Sequence, residues 1–109
     1  MMSEIREMLK ERTKQFSLRV IRLYGTLPSR GAAQVLGHQL LRSATSVGAN
    51  YREAVRARST AEFRAKLGEC LKELEESAYW LELFSDSKLI PATKLSGLMI
   101  ETEELTKIL

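Results

Sequence analysis

The sequence predicts an all-α protein, an antiparallel up-down-up-down four-helix bundle formed by residues 1–109 as one domain. Three observations predict it. Apolar residues recur at three- and four-residue spacing in four successive segments. Glycine, proline or a capping residue bounds each segment and leaves only short connections. No segment alternates with period two, so no sheet is expected. Helices joined by short loops run antiparallel to their chain neighbours, which gives the bundle.

The first helix is expected from about Ser3 to Thr26, where Ile5, Leu9, Phe16, Val20, Leu23 and Leu27 form a narrow apolar stripe. Arg12 falls on that stripe and Arg19 beside it, so at least one of them extends its stem along the core and carries its guanidinium to an edge or a partner. Gly25 and Pro28 end the helix. The second helix spans roughly Gly31 to Ala57. Its core side carries Leu36, Leu40, Ser43, Ala44, Val47, Tyr51 and Ala54; the opposite side carries Arg42, Thr45, Ala49, Arg52 and Arg56. Arginines interleaved with very small residues are unlike an ordinary solvated face, and such a surface fits docking. Gly37 and Gly48 each cost about 1 kcal/mol relative to alanine inside a helix. Close approach of another backbone, from the same bundle or from another subunit, is a reason to keep them.

Ser59-Thr60-Ala61-Glu62 reads as a capping box ahead of the third helix, Thr60 to about Ser85. Phe63, Leu67, Cys70, Leu71, Leu74, Ala78 and Leu81 are expected inward, with Trp80 and Leu83 outward among Glu69, Glu73 and Glu76. Asp86 to Ile90 turns the chain, and Pro91 suits the start of the fourth helix. Leu95, Leu98, Met99, Thr102, Leu105 and Leu109 give that helix its stripe. In this topology the first helix begins at the end where the second finishes and the third starts.

With 44% apolar and 28% charged residues, the composition is that of a water-soluble globular protein large enough to form a core without staples. No apolar run approaches the roughly 18 residues that span a bilayer. The mixed-charge start Met1-Met2-Ser3-Glu4-Ile5-Arg6 has no hydrophobic signal region, so a cytoplasmic protein with no membrane partner is expected. The lone Cys70 has no disulfide companion and reads as a small core residue. His38, the one histidine, is expected outward and without ligand duty. No phosphate loop, paired-carboxylate or His-Glu-x-x-His pattern occurs; neither an enzyme nor a cofactor is expected.

Charge is distributed unevenly. Residues 1–66 carry 13 Lys/Arg against 5 Asp/Glu, a net +8, whereas residues 67–109 carry 4 against 9, a net −5. A basic and an acidic surface in one molecule follow. Arg12, Lys14, Arg42, Arg52, Arg56, Arg58, Arg64 and Lys66 are the candidate nucleic-acid contacts, since a fork of guanidinium donors suits phosphate. The competing reading is a solvated basic end, or ion pairs with Glu69, Glu73 and Glu76 of a neighbouring subunit. The outer faces of the second and third helices are the expected oligomer interface. There Thr45, Gly48 and Ala49 admit close contact, Arg52, Glu73 and Glu76 supply charge, and Trp80 and Leu83 supply buried area. Ser46 and Asn50 are expected to make interhelical hydrogen bonds, and Glu53 to pair with an arginine.

The run from Leu41 to Ala54, LRSATSVGANYREA, followed by Ser59-Thr60-Ala61-Glu62-Phe63 and by Lys72 to Leu83, KELEESAYWLEL, resembles the bacterial four-helix-bundle family of 23S ribosomal RNA intervening-sequence proteins. The accessory variability proteins of diversity-generating retroelements look like a related branch. The family-like positions are Arg42, Ser43, Ser46, Asn50, Glu53, Glu73 and Leu74. The resemblance implies a homo-oligomeric bundle, a pentamer in its ring-shaped relatives, without catalytic activity and with RNA or DNA as candidate partner. No stretch matches the reverse-transcriptase binding of the retroelement branch. The alternative function is a structural adaptor whose charged faces serve assembly and a protein partner, with no nucleic acid.

Overall fold

A computed structural model describes residues 1–109. Four helices follow one another: α1 (Met2–Tyr24), α2 (Gly31–Val55), α3 (Thr60–Asp86) and α4 (Ala92–Ile108). They form the antiparallel bundle that the periodicity predicts. Each helix packs on its chain neighbours, α4 closes back on α1, and the diagonal pairs α1/α3 and α2/α4 do not meet. The body measures 43 × 21 × 20 Å, as expected for helices of about 40 Å laid side by side.

The helix ends follow from local chemistry. Ser59 accepts the backbone N–H of Glu62 at 3.1 Å, as the capping box requires, while the Glu62 carboxylate reaches back to the N–H of Arg58 at 3.3 Å, one residue short of the expected Ser59. Gly31 opens α2 at φ 72°, a conformation that a side chain rarely tolerates. Pro91 stands just before α4, where its missing N–H is no loss.

The main core gathers Phe16 and Val20 of α1, Leu40, Ala44 and Val47 of α2, Leu74, Leu81 and Phe84 of α3, and Leu95, Leu98 and Leu105 of α4. A smaller cluster of Leu9, Tyr51 and Cys70 fills the end where α1 begins. Between α2 and its neighbours the seams are made of small residues. Ser43 and Ser77 hydroxyls meet at 2.8 Å, Ser17 donates to the carbonyl of Ala44 at 3.3 Å, and the Cys70 thiol to that of Val47 at 3.5 Å. A Cβ on Gly48 would stand 3.3 Å from Thr13 Oγ1 of α1, and one on Gly37 2.6 Å from Leu27 Cδ1. Both glycines therefore serve contacts within the chain, and Gly48 is buried there instead of lying at an oligomer interface.

Four apolar positions differ from expectation. Ile5 is exposed: Arg12 lies opposite Glu101 and Glu104, which in antiparallel register sets Ile5 at or beyond the last turn of α4. Ala78 and Met99 are exposed because α3 turns Ser77 and Glu73 toward α2, leaving the α4 side open. Trp80, expected outward, packs its ring partly against the main core, with its indole N–H buried and without an acceptor. Tyr79, 53% exposed, is the outward aromatic.

Candidate nucleic-acid interface

The start of α1, the end of α2, the connection Arg56–Ser59 and the start of α3 meet at one end of the bundle. Helical phase sends the arginines there outward, because Tyr51, Ala54 and Cys70 take the inward positions. Arg52, Arg56, Arg58 and Arg64 are all exposed, and none of the four makes an ion pair within the chain. Arg6, which the sequence reading missed, joins them. It shares with Arg58 the wall of a cleft of about 310 Å³ floored by Ala54, Val55 and Phe63, with Ser59 and Thr60 at the first turn of α3. Only its place near the helix start could have flagged Arg6, since mixed charge in a first turn is ordinary. Two guanidiniums beside free amides of a helix start present donors to an anion from several directions.

Three of the expected contacts go elsewhere. Arg12 turns onto α4, with Nε 2.8 Å from Glu101 Oε2 and Nη2 at 2.8 Å from Glu101 Oε1 and 2.9 Å from Glu104 Oε1. Those hydrogen bonds, Glu101 first and Glu104 second, hold the guanidinium pKa above its usual value. Arg42 crosses to α3, at 3.3 Å from Glu73 and 3.0 Å from Glu76. Lys66 meets Glu53 of α2 at 3.0 Å, which raises the lysine pKa. The acids expected to belong to a neighbouring subunit thus lie on the same chain, within reach because α2 and α3 are paired along their length. Glu73 is buried, and a carboxylate stripped of water is pushed upward in pKa, with Glu76 adding to the shift and Arg42 opposing it. Lys14 is exposed and unpaired but sits farther along α1, level with Gly48.

The outer ridge of α2 is as expected in its small residues: Ala49 is exposed and Thr45 partly so. The Thr45 hydroxyl donates to the carbonyl of Leu41 at 2.7 Å, and that of Ser46 to the carbonyl of Arg42 at 2.7 Å, with Ser46 also near enough to Glu73 of α3 to favour its carboxylate form. Asn50, half-buried beside α3, makes no side-chain hydrogen bond within the chain. Leu83 is partly buried on the outer side of α3. Burial pushes the Cys70 thiol up to about 11, so it stays protonated at neutral pH and is a poor nucleophile. No group of three His, Cys, Asp or Glu side chains is placed to hold a metal ion. No helix is long and apolar enough to cross a membrane.

Comparison with known proteins follows the same outline. A family model described as 23S rRNA-intervening sequence protein matches residues 7–109. A solved structure from Bacteroides thetaiotaomicron VPI-5482, described as a protein with unknown function from the S23 ribosomal protein family, superposes with a TM-score of 0.85 at 37% identity, over 91% of this chain and 92% of that one. No curated protein matches significantly.

Proposed function

The chain belongs to the 23S rRNA-intervening sequence protein family, and from that premise we propose that it is a non-enzymatic, homo-oligomeric bundle that binds RNA or DNA through the arginines at the α1/α2/α3 end. One observation carries this reading. The basic side chains that the fold needs for itself, Arg12, Arg42 and Lys66, are each paired with an acid, whereas Arg6 and Arg58 stand exposed and unpaired in the wall of one cleft, with Arg56 and Arg64, also exposed and unpaired, next in sequence to residues that line it. Keeping like charges at one end with none of them in an ion pair is unfavourable for the folded chain alone, and phosphates relieve it. The one aromatic beside them, Phe63, is half-buried in the cleft floor and Tyr51 is buried in the core, so no exposed row of rings offers a stacking platform and the expected contacts run to the backbone of the nucleic acid. Assembly brings several such ends into one surface, and the family resemblance sets the expected number of copies at five.

The test is a titration of labelled RNA and DNA across a salt series. Binding is expected to weaken steeply as salt rises, and an Arg6→Gln/Arg58→Gln double variant is expected to flatten the log K against log[salt] slope by about 2 units, near one per phosphate contact removed. No binding at low salt would overturn the reading and leave the adaptor role.

A further inference from the structure

A second surface lies on the opposite half of the charge distribution. Between α3 and α4 runs an open groove of about 730 Å³ with Leu71, Ala78, Met99 and Ile100 along its floor and Glu75 and Glu82 at its rim. Ile100 is 58% exposed and Met99 beside it 37%, so exposed apolar side chains share one groove there instead of standing singly. Glu75 and Glu82 are in no ion pair, whereas the other two charged residues of the groove, Glu103 and Lys107, neutralise each other at 3.5 Å. The threonines that face the groove are already satisfied: Thr102 donates to the carbonyl of Leu98 and Thr106 to that of Thr102, both at 2.7 Å. Covering this floor therefore strands no hydroxyl.

Resting on the homo-oligomeric reading above, we propose that the α3/α4 groove of one copy receives the outer α2 ridge of the next, in a head-to-tail interface. The ridge has the matching chemistry. Thr45 spends its hydroxyl on its own helix and presents a methyl group, Ala49 adds another low apolar contact, and Arg52, exposed and unpaired, follows one turn later. Small residues let the ridge sink into the groove, and Arg52 meets a rim carrying Glu75 and Glu82. Because α2 and α4 occupy diagonal corners, ridge and groove face away from each other at an angle. Successive copies then turn instead of closing as a two-fold pair, which is how heterologous contacts build rings.

Sedimentation velocity on the wild type, on Ile100→Glu (groove) and on Ala49→Glu (ridge) tests this, with helical melts to verify folding. The wild type is expected to run as an oligomer and each variant as a monomer. Mixed in equal amounts, the two variants are expected to form a dimer and nothing larger, since each keeps one intact face. A monomeric wild type overturns self-assembly and this interface with it. An oligomeric wild type whose size both variants retain overturns the groove-and-ridge contact alone, and leaves the groove to another occupant such as a basic amphipathic helix. Monomeric variants that fail to form the mixed dimer overturn the head-to-tail arrangement. Should Ile100→Glu melt early, Ala78→Glu, at an exposed position on the same floor, gives the same reading.

Discussion

Glu73 is the residue whose chemistry depends most on its surroundings. Arg42 and Ser46 favour its charged form, while burial and the neighbouring Glu76 disfavour it more, so its folded pKa lies above the usual carboxylate value. The folded chain then binds a proton more tightly than the unfolded chain does. Stability contributed by this group is present at low pH and declines as pH rises through the folded pKa. Glu73→Gln keeps the shape and removes the ionisation. Its melting temperature is expected to gain on the wild type as pH is raised from about 4 to 7, and a constant difference across that range would refute the assignment. Trp80 makes the converse case. Its indole N–H is buried with no acceptor, and an orphaned donor costs about 1–3 kcal/mol. Trp80→Phe keeps most of the ring and drops the donor, so denaturant unfolding is expected to show equal or higher stability, within about 1 kcal/mol of the wild type. Trp80→Ala, which also removes the packing, is expected to be clearly less stable.

Among the elements, α4 is the least tied. At 17 residues it is the shortest helix, and its contact with α1 depends on Arg12 reaching Glu101 and Glu104 and on Arg19, whose guanidinium lies 2.8 Å from where a Cβ on Gly97 would stand. Arg12→Gln breaks a forked, partly buried pair and leaves two glutamates facing each other. Amide exchange in α4 is expected to accelerate several-fold while α2 and α3 hold, since local opening follows local contact; uniform acceleration would mean global destabilisation instead. Much of this architecture was legible beforehand. The Ser59 cap, the breaks at Gly25 and Pro91 and the leucine stripes mark four helices to within about two residues. Helical phase also placed Tyr51 and Ala54 inward and Arg52 and Arg56 outward. What periodicity could not show is which helix lies beside which polar residue. Thr13 and Ser77 lie outside the apolar stripes, yet they fill tight seams because a hydroxyl bonded to its own helix or across to Ser43 buries at little cost. For the same reason the sequence leaves Arg42 between phosphate and acids of a neighbouring subunit, whereas α3 brings Glu73 and Glu76 of its own chain alongside it.

At the scale of the molecule, the +8 and −5 halves of the sequence partly neutralise each other inside the fold: Arg12 and Arg42 come from the first, and Glu101, Glu104, Glu73 and Glu76 from the second. The exposed cations left unpaired stand mostly at the two ends of the bundle, Arg6, Arg52, Arg56, Arg58 and Arg64 at one and Arg22, Arg30, Lys88 and Lys94 at the other, so dependence of binding on position is what separates a site from a merely basic protein. Arg58→Gln and Lys14→Gln each lower the net charge from +3 by one unit. Were nucleic acid drawn by overall charge, the two losses would be equal. Arg58 lines the cleft with Arg6, whereas Lys14 stands about two turns farther along α1. Arg58→Gln is therefore expected to lower the salt slope by about 0.7–0.9, the contribution of one phosphate, and Lys14→Gln to leave it nearly unchanged. Equal changes in a salt series run on both variants would show that the end of the bundle has no privileged role. A larger effect at Lys14 would move the contact surface onto the side of α1. Since neither residue belongs to the ridge or to the groove, sedimentation of both variants is expected to match the wild type, which keeps the binding measurement independent of assembly.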